Sequence, residues 1–117
     1  MKLYLSSYRL PVPKELCDLV GKQITDIKIA LIPNAKDYYA KKAREIKIGA
    51  YVEYFKNLGF AIEVIDLRSI NSVRAIEEIF QDYDVAWACG GNTFCLRYEM
   101  YRSGFDRAIH KLLGEGL

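Results

Sequence analysis

The chain has 117 residues, of which 51% are hydrophobic and 27% charged, with a formal net charge of +2. That length fits a single domain spanning 1–117, or part of one, and the apolar fraction excludes a disordered chain. No apolar run approaches the ~18 residues of a membrane span, and so balanced a charge gives no field that would select nucleic acid.

In chain order, Leu3-Tyr4-Leu5 reads as a short strand entering a polar loop at Ser6-Ser7. Pro11 and Pro13 make a turn into a brief helix, Lys14 to Val20, closed by Gly21. Ile27 to Ile32 is apolar except at Lys28 and stops at Pro33, as a strand buried on both faces would. A long helix is expected from Asp37 to Leu58, with Ala43, Ile46, Ala50, Tyr54 and Leu58 as its buried stripe and Gly59 as a left-handed cap. Phe60 to Leu67 reads as the next strand. A third helix carries Val73, Ile76, Ile79 and Phe80, with Ser72 as N-cap. A fourth apolar run, Val85 to Cys89, ends at Gly90-Gly91-Asn92-Thr93. Two helical stretches follow, divided by Gly104, the second with a stripe of Phe105, Ala108, Ile109, Leu112 and Leu113. This alternation predicts an α/β fold, a parallel sheet with helices on both faces.

Lys36, Lys41, Lys42, Arg44 and Lys47 cluster with Asp37 and Glu45 among them, which reads as a solvated helix face rather than a phosphate site. Tyr38, Tyr39, Tyr51, Tyr54 and Phe55 are more aromatics than one stripe can bury. Tyr54 is expected in the core, and others against another subunit or beside a substrate loop. The three cysteines, Cys17, Cys89 and Cys95, match no metal spacing, and a single histidine makes a His/Cys metal site a poor expectation. The N-terminus lacks a signal peptide's apolar region, so a cytoplasmic protein with reduced thiols is expected.

The informative segment is Trp87 to Leu96, a strand that ends in paired glycines and opens a helix. Open α/β sheets bind ligands at the carboxyl ends of their strands, and glycines let the backbone approach a ligand closely. Asn92 and Thr93 can cap the helix or point polar groups at that ligand. Equally, the four residues can be only a tight turn with an N-cap.

Gly90-Gly91-Asn92-Thr93-Phe94 after an apolar strand resembles the signature of the dipeptidase E, or α-aspartyl dipeptidase, family of serine peptidases. Ser6-Ser7, Ile32-Pro33-Asn34-Ala35, Leu58-Gly59-Phe60, Ile65-Asp66-Leu67 and Gly104 also stand where that family has comparable features, so the resemblance runs over the whole chain. Two departures are that Cys89 holds the place of a first glycine and Asn34 that of a common threonine. The resemblance implies a three-layer sandwich with a mostly parallel sheet, like that of the class I glutamine amidotransferases, and no cofactor or metal. It makes the Gly91 N–H an oxyanion-hole donor and assigns Gly90, Asn92 and Thr93 to the substrate pocket. The implied reaction is hydrolysis of a short peptide, an Asp-Xaa dipeptide in the family, through an acyl-enzyme.

In that family the serine sits on a Gly-x-Ser-x-Gly elbow. The chain contains none, and the resemblance places that strand just beyond Leu117, with the base and acid later still. The chain is therefore expected to be an N-terminal portion, inactive alone, whose open sheet edge favours a homo-oligomer. Within it, Cys95 and His110 are the available nucleophile–base pair, expected instead as a small core residue and a surface residue. Cys89 is better placed, at a strand end, but has no base nearby in sequence. Asp66 could meet a ribose, but no Gly-x-Gly-x-x-Gly accompanies it. The alternative is a non-catalytic protein of the same fold that binds a small acidic ligand or dimerises.

Overall fold

The computed structural model describes residues 13–116, with side chains through residue 112. The expected strand at Leu3-Tyr4-Leu5, the Ser6-Ser7 loop and Pro11 lie outside the described residues. Helix α1 spans Pro13–Val20, and the apolar run after it forms β1, Lys28–Ile32. Then come α2 (Lys41–Leu58), β2 (Ala61–Val64), α3 (Val73–Phe80), β3 (Val85–Ala88), α4 (Thr93–Ser103) and α5 (Phe105–Gly116). The three strands form one parallel sheet in the order β2-β1-β3. Ile29 of β1 is opposite Ile62 on one side and Val85 on the other.

Because successive side chains of a strand point to opposite faces, β1 feeds two cores. Ile29 and Leu31 pack with Leu16, Ile48, Phe55 and Trp87, under α1 and α2. Ala30 and Ile32 pack with Ile76, Phe80, Phe105 and Leu112, under α3 and α5. The result is the expected three-layer α/β arrangement. Phe55 is fully buried and meets Trp87 edge-on at 5.0 Å. A side chain of that size contributes about 1.5–3 kcal/mol by burial alone.

Several local signals act as expected. Ser72 Oγ accepts the Ala75 N–H at 3.1 Å, and Gly59 closes α2 in the left-handed conformation. Gly104 has φ 93°, and a Cβ there would lie 2.8 Å from the Val73 nitrogen. Only glycine lets the α4–α5 corner press on the start of α3. Among the described residues, no helix is long and apolar enough to cross a membrane.

Helix α2 differs from the expectation in start and rotation. It begins at Lys41 rather than Asp37, because Asn34–Lys36 form a 3-10 turn and the Asp37 carboxylate is tied down by Asn34 and Arg44. Its buried face is Arg44, Ile48, Tyr51, Val52 and Phe55, which share helical spacing, whereas Ile46 is 65% exposed. The pull of Phe55 into Trp87 and of Arg44 toward Asp66 sets that rotation. Tyr54 packs against the core as expected, partly buried.

Candidate functional site

Helix α4 packs on two turns, Asn34–Lys36 and Leu67–Ser69, that follow β1 and β2. The loop before it therefore opens at the carboxyl ends of the strands, where open α/β sheets hold ligands. The Cys89 N–H donates to the Ile32 carbonyl at 3.1 Å, the last bond in line with the sheet. Gly90 and Gly91 then leave the sheet, and the Asn92 N–H returns to the Ala35 carbonyl at 2.8 Å.

Gly91 has φ 147°, and a Cβ on it would come within 2.4 Å of the Ala35 oxygen. No other residue fits against that carbonyl without moving the loop. Asn92 Oδ1 accepts the N–H groups of Phe94 at 2.9 Å and Cys95 at 3.3 Å, so this side chain is a helix cap. Thr93 begins α4 with an exposed side chain. Among the described residues, no acceptor meets the N–H groups of Gly90, Gly91 or Thr93. The structure thus brings the four sequence-predicted residues together in an exposed loop fixed at both ends, with backbone donors that no acceptor among the described residues engages.

The other candidates do not converge on it as nucleophiles. The Cys89 side chain is buried in the α2-side core, and burial pushes its thiol up to about 12, against the weaker pull of Lys36 and Arg44. A thiol so protonated is no nucleophile at neutral pH. Cys95 is half-buried on α4 and His110 is exposed on α5, with no hydrogen bond between them.

A second polar cluster, at the ends of β1 and β2, escaped the sequence reading. Asn34 is fully buried. Its Nδ2 donates to Asp37 and to Asp66, both at 2.9 Å, and its Oδ1 accepts the Leu67 N–H at 3.0 Å. Arg44 donates to Asp37 at 3.0 Å and Asp66 at 3.1 Å, and Arg68 grips Asp66 at 2.7 Å. Burial raises the Asp66 carboxyl, but hydrogen bonds from Arg68 and Asn34 outweigh it and hold the group well below the usual carboxylate range. Asp66 is therefore committed within the fold rather than aimed at a ribose. Arg44, read as part of a solvated basic face, is mostly buried in this network. A polar residue two positions past the end of each strand (Asn34 and Asp66) was the signal available.

A cleft of about 310 Å³ adjoins the cluster, lined by Asp37, Tyr39, Lys41, Arg44, Glu45 and Arg68. Tyr38 and Tyr39 precede α2, with ring centroids 4.2 Å apart and Lys47 4.8 Å over the Tyr39 ring. Tyr51 is the aromatic that reaches the loop: a Cβ on Gly90 would lie 3.9 Å from its hydroxyl. Phe94, Tyr98 and Tyr101 form an exposed face of α4.

The family model for peptidase family S51 matches residues 3–117. Among solved structures, the chain is similar to the 1.5 Å crystal structure of a candidate peptidase E protein from Listeria monocytogenes EGD-e, with a TM-score of 0.65 and 23% identity. The match covers 88% of this chain and 48% of that one, so the chain spans about half the length of that relative. At that identity the likeness carries the fold. No curated protein matches the chain.

Proposed function

The chain belongs to peptidase family S51, and on that premise we propose that Gly90–Thr93 is the oxyanion side of a serine-peptidase site for short peptides, Asp-Xaa dipeptides above all. When a serine adds to the scissile carbonyl, the oxygen gains a full negative charge. A donor aimed there stabilises that charge by about 2.7–4 kcal/mol relative to its absence. The Gly91 N–H is that donor, and it costs nothing to reorganise because the loop is already held. Asn92 does its work by capping α4, and Gly90 and Thr93 border the pocket.

The observation that carries this reading is the unengaged Gly91 N–H in a loop locked by the 2.8 Å bond from Asn92 to Ala35. On this reading the serine nucleophile lies outside these 117 residues, in keeping with the absence of a Gly-x-Ser-x-Gly from the chain, and the resemblance puts the base and the orienting acid outside it as well. The reading places the enzyme in the cytoplasm, in keeping with three free thiols. Two results are expected. The purified chain releases no aspartate from Asp-Leu, and the reading frame beyond Leu117 runs into Gly-x-Ser-x-Gly. Hydrolysis by the 117-residue chain, stopped by a serine-directed inhibitor, would overturn the division of labour. A stop codon there would favour the second reading, a non-catalytic protein of this fold that holds a small acidic ligand at the same loop or dimerises.

A further inference from the structure

The charges around the loop are not evenly spent. Asp37 and Asp66 are each shared between Arg44 and Arg68, so two acids answer two guanidinium groups in one closed network. Lys36 stands beside that network and outside it. Among the described residues, no carboxylate pairs with its ammonium group, which lies 5.5 Å from the centroid of the Tyr51 ring. A cation against an aromatic face is stabilised only modestly and keeps its capacity for an anion.

Its position ties it to the loop by two routes. Lys36 directly follows Ala35, whose carbonyl receives the Asn92 N–H and presses on Gly91. Tyr51, under the Lys36 ammonium, brings its hydroxyl to the side of Gly90. Lys36 is also the foremost charge acting on the Cys89 thiol, just before the glycines. The Lys36 ammonium and the side of Gly90, next to the oxyanion donor in the chain, thus share one aromatic ring, that of Tyr51, and a dipeptide spans about 7 Å.

We propose that Lys36 is the specificity residue of this site, receiving a carboxylate of the peptide whose scissile carbonyl lies at Gly91. This rests on the reading of Gly90–Thr93 given above. Two carboxylates qualify, the side chain of an N-terminal aspartate and the C-terminal carboxylate of a dipeptide. Lys36 touches no reacting atom; it selects and orients the peptide by charge.

Calorimetric titration of the 117-residue chain with Asp-Leu, Asn-Leu and Asp-Leu amide tests this, with the backbone amides of Gly90–Thr93 followed by NMR. Lys36→Gln should weaken Asp-Leu about tenfold to a hundredfold, and Lys36→Arg should restore most of that loss. The peptide lacking the carboxylate that Lys36 receives should bind the unaltered chain weakly and be indifferent to Lys36→Gln. Asn-Leu in that role identifies the side chain, and Asp-Leu amide identifies the C-terminus. If all three peptides shift the loop amides and Lys36→Gln changes none of their affinities, the Lys36 assignment falls and the peptide site stands. If no peptide shifts those amides, both fall. Equal weakening of all three peptides by Lys36→Gln and by Lys36→Arg would also overturn the assignment, because charge would not be what was lost.

Discussion

Two of the three side-chain hydrogen bonds of Asn34 join the end of β1 to the segment after β2, and the third holds Asp37. Replacing Asn34 with alanine leaves the buried Leu67 N–H without an acceptor and two carboxylates short of a donor. Asn34→Ala should cost about 2–4 kcal/mol, read from the urea midpoint. Asp66 supplies a pH signature for the same cluster. Its folded pKa is depressed, so its contribution is complete above the unfolded value of about 3.9 and is lost as pH falls through the lower folded value. Asp66→Asn should therefore flatten the stability profile below about pH 4 while lowering stability at neutral pH. These residues were poorly legible in the sequence, where Asn34 looked like a substituted threonine and Asp66 like a strand end. Their meaning depends on β1 and β2 lying side by side, a contact between positions 32 residues apart. That position 91 must be glycine, in contrast, was legible, because a paired glycine after an apolar strand announces a close backbone approach, here to the Ala35 carbonyl.

Helix ends were the readable part of the elements. Ser72, Gly59 and Gly104 act locally, so the residue type alone predicts the boundary. Gly104 has two reasons to be glycine, its φ of 93° and the backbone of Val73 at 2.8 Å from a Cβ. Gly104→Ala should destabilise the fold by about 2–4 kcal/mol, seen as a lowered melting temperature, with α4 and α5 displaced from α3. The rotation of α2 was not readable. Its sequence offers apolar residues around the whole helix, and the face that is buried was chosen by Arg44 and Phe55, whose partners lie in other elements. The aromatic face of α4 was hidden for a related reason: Phe94, Tyr98 and Tyr101 have core-like identities, yet α4 crosses the strand ends and buries Glu99 and Ser103 instead.

At the scale of the molecule, the sheet order β2-β1-β3 leaves one side of β2 and of β3 without a partner strand among the described residues. Unpaired N–H and C=O groups along an edge invite a second copy of the chain. Sedimentation equilibrium of the 117-residue chain should show association that grows with concentration, and a proline at Ala86 should reduce it. A stable monomer at high concentration would remove this basis for a homo-oligomer. The three-layer α/β class was legible throughout, since strand-length apolar runs alternate with helical stretches, and it is the frame that carries the loop to the strand ends.

The central claim is that this loop receives a peptide carbonyl at Gly91. A crystal structure of the chain with bound Asp-Leu examines it most directly. The expected result is the scissile carbonyl oxygen about 3 Å from the Gly91 nitrogen, with the loop still held by the bond from Asn92 to Ala35. A peptide seated elsewhere, with Gly90–Thr93 bare, would contradict it.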